Sequence, residues 1–369
     1  MKYYLIAGEA SGDLHGANLM KSILEKDPNA EFRFWGGDLM QAVGGTMVLH
    51  YKKRAFMGFF EVIINLFKIL GFIKHCKKDI ENHQPDALIL IDNSGFNLPI
   101  AKWAKQKGFG THYYISPQVW ASRASRVKKI KAYVDHMYVI LPFVQGFYEK
   151  YDYDVHFVGH PLIDAIADHQ QIIPGDFKKQ FKLDNRPIIA ILPGSRKQEI
   201  KKMLEVMLSI VDDFSTYQFV IAGAPSQDKD FYKPFIKKDG VHLIMNRTYD
   251  ILSLSNAALV TSGTATLETA LFKVPQVVCY KGNAISYQIA KRIINLEYIS
   301  LVNLIMDKAV VTELIQNEFT SQRLKEELFH IIDEYKRAVM FLDYYDLEKK
   351  LGGKGASNKT ANLIIDAIK

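Results

Sequence analysis

Tyr3-Tyr4-Leu5-Ile6-Ala7-Gly8-Glu9-Ala10-Ser11-Gly12-Asp13-Leu14-His15-Gly16 passes from an apolar, strand-like run through a glycine-rich turn into a helix-like segment that reaches Lys26. Such a turn lets backbone N–H groups and a helix start approach an anionic or sugar-phosphate ligand. Glycines between a strand and a helix also serve as a tight connection alone. A second turn of the same make tips the balance toward binding. Ala257-Ala258-Leu259-Val260 leads into Thr261-Ser262-Gly263-Thr264-Ala265-Thr266-Leu267-Glu268, which again opens a helix. Two such turns predict two nucleotide-type folds.

The rest of the chain supports that division. Strand-like runs are predicted at Tyr3–Ala7, Phe32–Trp35, Ala87–Ile91, Thr111–Ile115, His136–Ile140 and His156–Val158, mostly separated by helical patterns. The rhythm returns at Pro187–Leu192, Gln218–Ala222, Val241–Ile244, Ala257–Val260 and Gln276–Tyr280. Alternation of this kind builds parallel sheets covered by helices. The expected architecture is therefore α/β, two doubly wound Rossmann-like domains facing a central cleft, with ligands at the carboxyl ends of the strands. Domains are expected at 1–165 and 186–345, with the Pro161 to Arg186 stretch as linker. Residues 346–369 are expected to supply a C-terminal helix that caps either domain or packs back on the first.

With 369 residues, 48% hydrophobic and 24% charged, the chain suits two cores. Cys76 and Cys279 lack metal or redox spacing and are expected to be reduced packing residues. The N-terminus lacks the pattern of a signal peptide, so a cytoplasmic location is expected. A net charge of +7 favours anionic partners without choosing among phosphorylated substrates, nucleic acid and acidic membrane.

Several residues are candidates for chemistry. Asp92 ends the apolar strand Ala87–Ile91, where partial desolvation suits a general base; a loop-bracing or capping role competes. Glu9 and Asp13 are further acids, Asp13 equally a helix cap, and His15 lies beside the first turn. Arg196, after Ile191-Leu192-Pro193-Gly194-Ser195, can bind a phosphate through two hydrogen bonds or be an ordinary surface arginine. Glu268 either complements its helix dipole or accepts hydrogen bonds from ribose hydroxyls. Asp152-Tyr153-Asp154 has the two-acid spacing of some cation sites but lies in a turn away from a strand's carboxyl end, so no metal and no cofactor is expected. His112 is read as a hydrogen-bonded strand residue.

Ala55 to Ile73 is overwhelmingly apolar, with Glu61, Asn65 and Lys68 as one narrow polar stripe and Lys74, Lys77 and Lys78 following. A spanning helix would place Glu61 and Lys68 in hydrocarbon, so interfacial docking on anionic headgroups is expected, with burial in the core or at a subunit interface as the alternative. The basic residues Arg123, Arg126, Lys128, Lys129 and Lys131 lack interleaved aromatics, which argues against nucleic acid.

Together these motifs are specific. The chain resembles the lipid-A-disaccharide synthase family, inverting glycosyltransferases of the two-domain GT-B type, through Gly8-Glu9-Ala10-Ser11-Gly12-Asp13, Ile91-Asp92 to Phe96-Asn97 and Ser116-Pro117-Gln118-Val119-Trp120-Ala121. Phe157-Val158-Gly159-His160-Pro161, Leu192-Pro193-Gly194-Ser195-Arg196, Ser262 to Glu268 and Tyr298-Ile299-Ser300-Leu301-Val302-Asn303-Leu304 continue it. The resemblance implies transfer of 2,3-diacylglucosamine from its UDP conjugate to 2,3-diacylglucosamine 1-phosphate, with Asp92 as base. It assigns the diphosphate to Arg196 and Ser262, Gly263, Thr264, Ala265 and Thr266, and the ribose to Glu268. Glu9, Ser11, Asp13, His15 and Asn303 enter the site with less defined roles. It also implies peripheral association with the inner membrane and leaves a homodimer open. Gly95 and Ser122 depart from the pattern, standing where many relatives carry an aspartate and a tryptophan. Competing readings are another two-domain UDP-sugar transferase or epimerase, and a non-catalytic phosphate- or RNA-binding module.

Overall fold

The structure, a computed structural model, describes residues 1–54, 66–120, 124–282 and 297–369. Two compact units result: Met1–Asp164 with Leu351–Lys369, and Ala165–Lys350.

The first unit is built on a seven-stranded parallel sheet. Its strands are β1 (Lys2–Ala7), β2 (Glu31–Gly36), β3 (Thr46–His50), β4 (Ala87–Ile91), β5 (Thr111–Tyr114), β6 (His136–Val139) and β7 (His156–Phe157), in the order β3-β2-β1-β4-β5-β6-β7. Parallel strands covered on both faces read as continuous apolar runs, and Ala87-Leu88-Ile89-Leu90-Ile91 is buried at all five positions. The chain order reverses between β1 and β4, whose last residues Ala7 and Ile91 are register partners. That reversal opens a crevice at the strands' carboxyl ends, the place where such sheets bind ligands.

The second unit repeats the plan with six parallel strands: β8 (Ile188–Leu192), β9 (Gln218–Gly223), β10 (Val241–Met245), β11 (Ser255–Thr261), β12 (Gln276–Tyr280) and β13 (Thr312–Ile315). Their order is β10-β9-β8-β11-β12-β13, so the reversal lies between β8 and β11. Its core packs Ile188, Ala190, Val220, Ile244, Ile251, Ala258 and Val260 together.

Three features differ from the sequence-based expectations. The edge strands β3 and β13 were not foreseen: β3 is only half-buried, and β13 carries the polar pair Thr312-Glu313. The stretch from Pro161 to Arg186 is no open linker. It folds into helices Pro161–Ala167 and Pro174–Gln180, and Phe177 and Leu183 join the second unit's core. Finally, helix Glu334–Lys350 belongs to the second unit, and the chain re-enters the first at Leu351. There the Asp164 carboxylate accepts hydrogen bonds from the Gly355 and Ser357 amides at 2.6 and 3.2 Å, capping the last helix, Ala356–Ile368, which packs on helix Ala10–Lys26.

Of the apolar stretch Ala55 to Ile73, residues 55–65, including Glu61 and Asn65, lie outside the described residues, as do Ser122 and Arg123. The part from Leu66 onward belongs to helix Leu66–His83. No helix among the described residues is long and apolar enough to cross a membrane. Cys76 and Cys279 are buried, one in each unit.

Candidate active site

In the first unit the two turns that flank the strand reversal touch. Asp92 and Asn93 follow β4 with φ of +47° and +42°, a left-handed pair that Asp and Asn tolerate better than other side chains. Asn97 fixes this turn from the next helix. Its buried side-chain amide donates to the carbonyl oxygens of Ile91 at 3.1 Å and Asp92 at 2.9 Å. The Tyr113 hydroxyl also donates to the Asp92 carbonyl, and the Asp92 amide donates to Tyr114 at 3.0 Å. The Asn93 side chain lies against Gly8, where a Cβ would meet its Nδ2 at 2.0 Å. Only glycine at position 8 lets the first turn approach this closely.

The Asp92 side chain keeps an exposed flank, while packed atoms on its other side raise its carboxyl above the ordinary aspartate range. The nearby Glu9 carboxylate adds to that rise and the Asn93 amide opposes it. Water on the exposed flank screens part of the effect. Glu9 and Ser11 are exposed at the start of helix Ala10–Lys26.

Asp13 is placed differently from the substrate-facing acid that its motif suggested. It is buried, and its carboxylate accepts from the backbone amides of Gly37 (2.7 Å), Leu39 (3.0 Å) and Met40 (3.1 Å). It therefore caps helix Asp38–Val43, which packs beside helix Ala10–Lys26, and not its own helix. His15 is buried with Nδ1 lacking a hydrogen-bond partner among the described residues, and burial lowers its pKa to about 4. It faces His160, whose pKa burial lowers to about 3 and whose Nδ1 accepts the Leu162 amide at 3.2 Å. Both imidazoles are neutral at physiological pH.

In the second unit, Arg196 is exposed and has no ion pair among the described residues, at the start of helix Lys197–Met207. Its loop is well braced. Glu199 Oε2 accepts the Ser195 amide at 3.3 Å, and Ser226 Oγ and Gln227 Nε2 both donate to the Ser195 carbonyl at 2.9 Å. Across the reversal, Gly263 and Thr264 are exposed, whereas Ala265 packs toward the core. The Ser262 and Thr266 hydroxyls donate back to the carbonyls of Ile299 (3.0 Å) and Gly263 (2.8 Å). What this turn offers a ligand is thus its helix-start amides and Thr264. Glu268, one turn on, accepts from the Tyr249 hydroxyl at 3.1 Å, and burial raises its carboxyl above the ordinary range.

Asn303 is committed elsewhere. Its Nδ2 donates to the Val311 carbonyl (2.8 Å) and Glu313 (2.9 Å), and its Oδ1 accepts the amides of Val310 and Val311, each at 2.9 Å. Both N–H groups and both lone pairs are used, so the side chain holds helix Leu301–Met306 to β13 and has nothing left for a ligand. Asp152 and Asp154 are exposed on either side of the buried Tyr153, whose hydroxyl donates to Val134. Among the described residues no cluster of acids, histidines and cysteines gathers to hold a metal ion.

Sequence reasoning passed over Asn97, Tyr249 and Ile115 as site elements. Ile115 adopts φ +64° directly after β5, a strained conformation for a β-branched residue that nothing in its type announces.

Two parallel-sheet α/β units, each with ligand-competent turns at its strand reversal, define the GT-B class of glycosyltransferases and related sugar-nucleotide enzymes. A UDP-GlcNAc 2-epimerase from Neisseria meningitidis, solved with UDP-GlcNAc, superposes with a TM-score of 0.64 at 13% identity, covering 100% of this chain and 99% of its own. The glycotransferase of kitacinnamycin gives 0.67 at 11%, with the same coverage. These likenesses speak to fold alone. The family described as lipid-A-disaccharide synthetase matches residues 3–366, and the lipid-A-disaccharide synthase of Syntrophus aciditrophicus is 38% identical over 374 residues, 99% of this chain and 97% of that one. The chain belongs to the lipid-A-disaccharide synthase family, glycosyltransferases of lipid A biosynthesis.

Proposed function

We propose that the protein transfers the 2,3-diacylglucosamine unit of its UDP conjugate to 2,3-diacylglucosamine 1-phosphate. The acceptor 6-hydroxyl oxygen attacks the anomeric carbon, its proton passes to Asp92, the bond to the diphosphate oxygen breaks with inversion, and UDP departs. The observation that carries this is the Asp92 turn: a carboxyl group at the strand reversal, raised in pKa by burial and locked by Asn97 and Tyr113. Arg196 and the amides opening helix Thr264–Leu271 take the charge that develops on the leaving diphosphate. Glu268 accepts the ribose hydroxyls, while Glu9 and Ser11 line the acceptor side. His15 stands behind that lining, and Asp13 and Asn303 act through the backbone they hold.

An acylated donor and acceptor reside in a bilayer, and the exposed Phe67 (87%) and Leu70 (52%), with Lys68, Lys74 and Lys78 on the same helix, support peripheral docking on the anionic cytoplasmic face of the inner membrane. The row Tyr335, Val339, Leu342 and Tyr345, exposed on helix Glu334–Lys350, supports a homodimer through that face, which sedimentation at two concentrations tests. The function itself is tested by adding donor and acceptor separately and together. UDP release only with both is expected; conversion of the donor alone to an epimeric UDP-sugar would favour the epimerase-like alternative, and no reaction at all would favour the binding module.

A further inference from the structure

The half-buried Tyr249 ends on the Glu268 carboxylate, as the buried Tyr3 and Tyr4 end on those of Asp27 and Asp79. Its ring is fixed on several sides. It meets His169 edge-on at 5.5 Å and Phe272 at 5.2 Å, and its neighbour Asp250 is tied to His169 Nε2 at 3.0 Å and to the Arg247 guanidinium. A tyrosine so held has little freedom, whereas an untethered glutamate must give up three torsions on meeting a ligand. The hydroxyl engages Oε1 of Glu268 and leaves Oε2 without a hydrogen-bond partner among the described residues.

Resting on the assignment of Glu268 to the ribose, we infer that Tyr249 is a positioning residue for nucleotide recognition: it holds one oxygen of the Glu268 carboxylate so that the other is pre-set for a sugar hydroxyl. The tyrosine also favours the ionised form of Glu268 against the burial that disfavours it. Removing the hydroxyl therefore pushes the carboxyl pKa further up, and the loss of UDP affinity on acidification then starts at higher pH.

The test is calorimetric titration of the full chain with UDP and with 2′,3′-dideoxy-UDP, for the wild type, Tyr249→Phe, Glu268→Gln and the double variant. Phenylalanine keeps the ring packing and deletes only the hydroxyl. Tyr249→Phe is expected to bind UDP about tenfold more weakly, as a hydrogen bond to a charged group implies. It should lose most of the preference for UDP over the dideoxy compound, shift the acid limb upward and add nothing in the Glu268→Gln background. Glu268→Asp, which withdraws the carboxylate from the hydroxyl by one methylene, should reproduce the loss. If Glu268→Gln binds UDP like wild type, the ribose assignment fails and the inference with it. If Glu268→Gln weakens binding but Tyr249→Phe does not, or weakens it equally with and without Glu268, the assignment stands and the role given to Tyr249 is overturned.

Discussion

Asn97 holds Asp92 by its backbone: one side-chain amide donates to the carbonyl oxygens of Ile91 and Asp92, so the left-handed turn that aims the carboxylate is fixed by a residue five positions on. The Asn97 clamp thereby positions the acid without using its carboxylate oxygens.

Asn97→Ala deletes that clamp inside a buried site. Unfolding free energy should fall by about 1–3 kcal/mol, the usual effect of stranding buried polar groups. Turnover should fall about tenfold or more because the proposed base loses its aim, while UDP affinity, assigned above to residues of the second unit, stays unchanged. Wild-type turnover in a stable Asn97→Ala protein would show that the clamp does not serve catalysis.

Asn303→Ala removes four hydrogen bonds that tie helix Leu301–Met306 to Val310, Val311 and, in β13, Glu313. A loss of roughly 2–4 kcal/mol in denaturant unfolding is expected. The UDP Kd of the fraction that remains folded should change little. A stable variant with much weaker UDP binding would return Asn303 to direct ligand contact.

Acid should destabilise the first unit through its buried histidines. His15, His112 and His160 have folded pKa values of about 4, 3 and 3, below the unfolded value near 6.5, because burial disfavours the imidazolium. The unfolded chain thus binds more protons between these limits. Stability is fully present above pH 6.5 and declines as pH falls toward 3, by about 2 kcal/mol per histidine at pH 5. Urea midpoints measured from pH 7.5 to 5 should drop steeply, and His112→Gln should flatten the drop. A flat profile would mean that these groups already titrate normally.

Much of this design is legible in the chain. The apolar runs of β1, β4, β8 and β11, each followed within two residues by a glycine or acid, locate the sheets and the turns at their ends, because buried parallel strands have nothing else to be. Edge strands escaped for the same reason reversed. Thr46–His50 is half-buried after two left-handed glycines, and Glu313 interrupts β13 in order to accept the Ile299 and Ser300 amides at 2.9 Å. At the site, residue type and motif identified Asp92, Arg196 and Glu268 as candidates, but a carboxylate's partner cannot be read from its motif. Asp13 resembles a ligand-facing acid and instead binds amides 24 to 27 residues away, while Glu268 looks unaccompanied until helix Thr248–Ser253 brings Tyr249 beside it. Pro174-Gly175 and Asp184-Asn185-Arg186 resemble a linker, yet Phe177 and Leu183 between them are core.

The most direct test of the account is single-turnover transfer by Asp92→Asn with both acylated sugars supplied. Asparagine keeps the shape and removes the base. Disaccharide formation should fall a hundredfold or more, on the order of a general-base contribution, while UDP binds with wild-type affinity and the protein melts within a few degrees of the parent. Transfer at the parent rate, with binding and stability intact, would contradict the assignment of Asp92 as the group that takes the acceptor's proton.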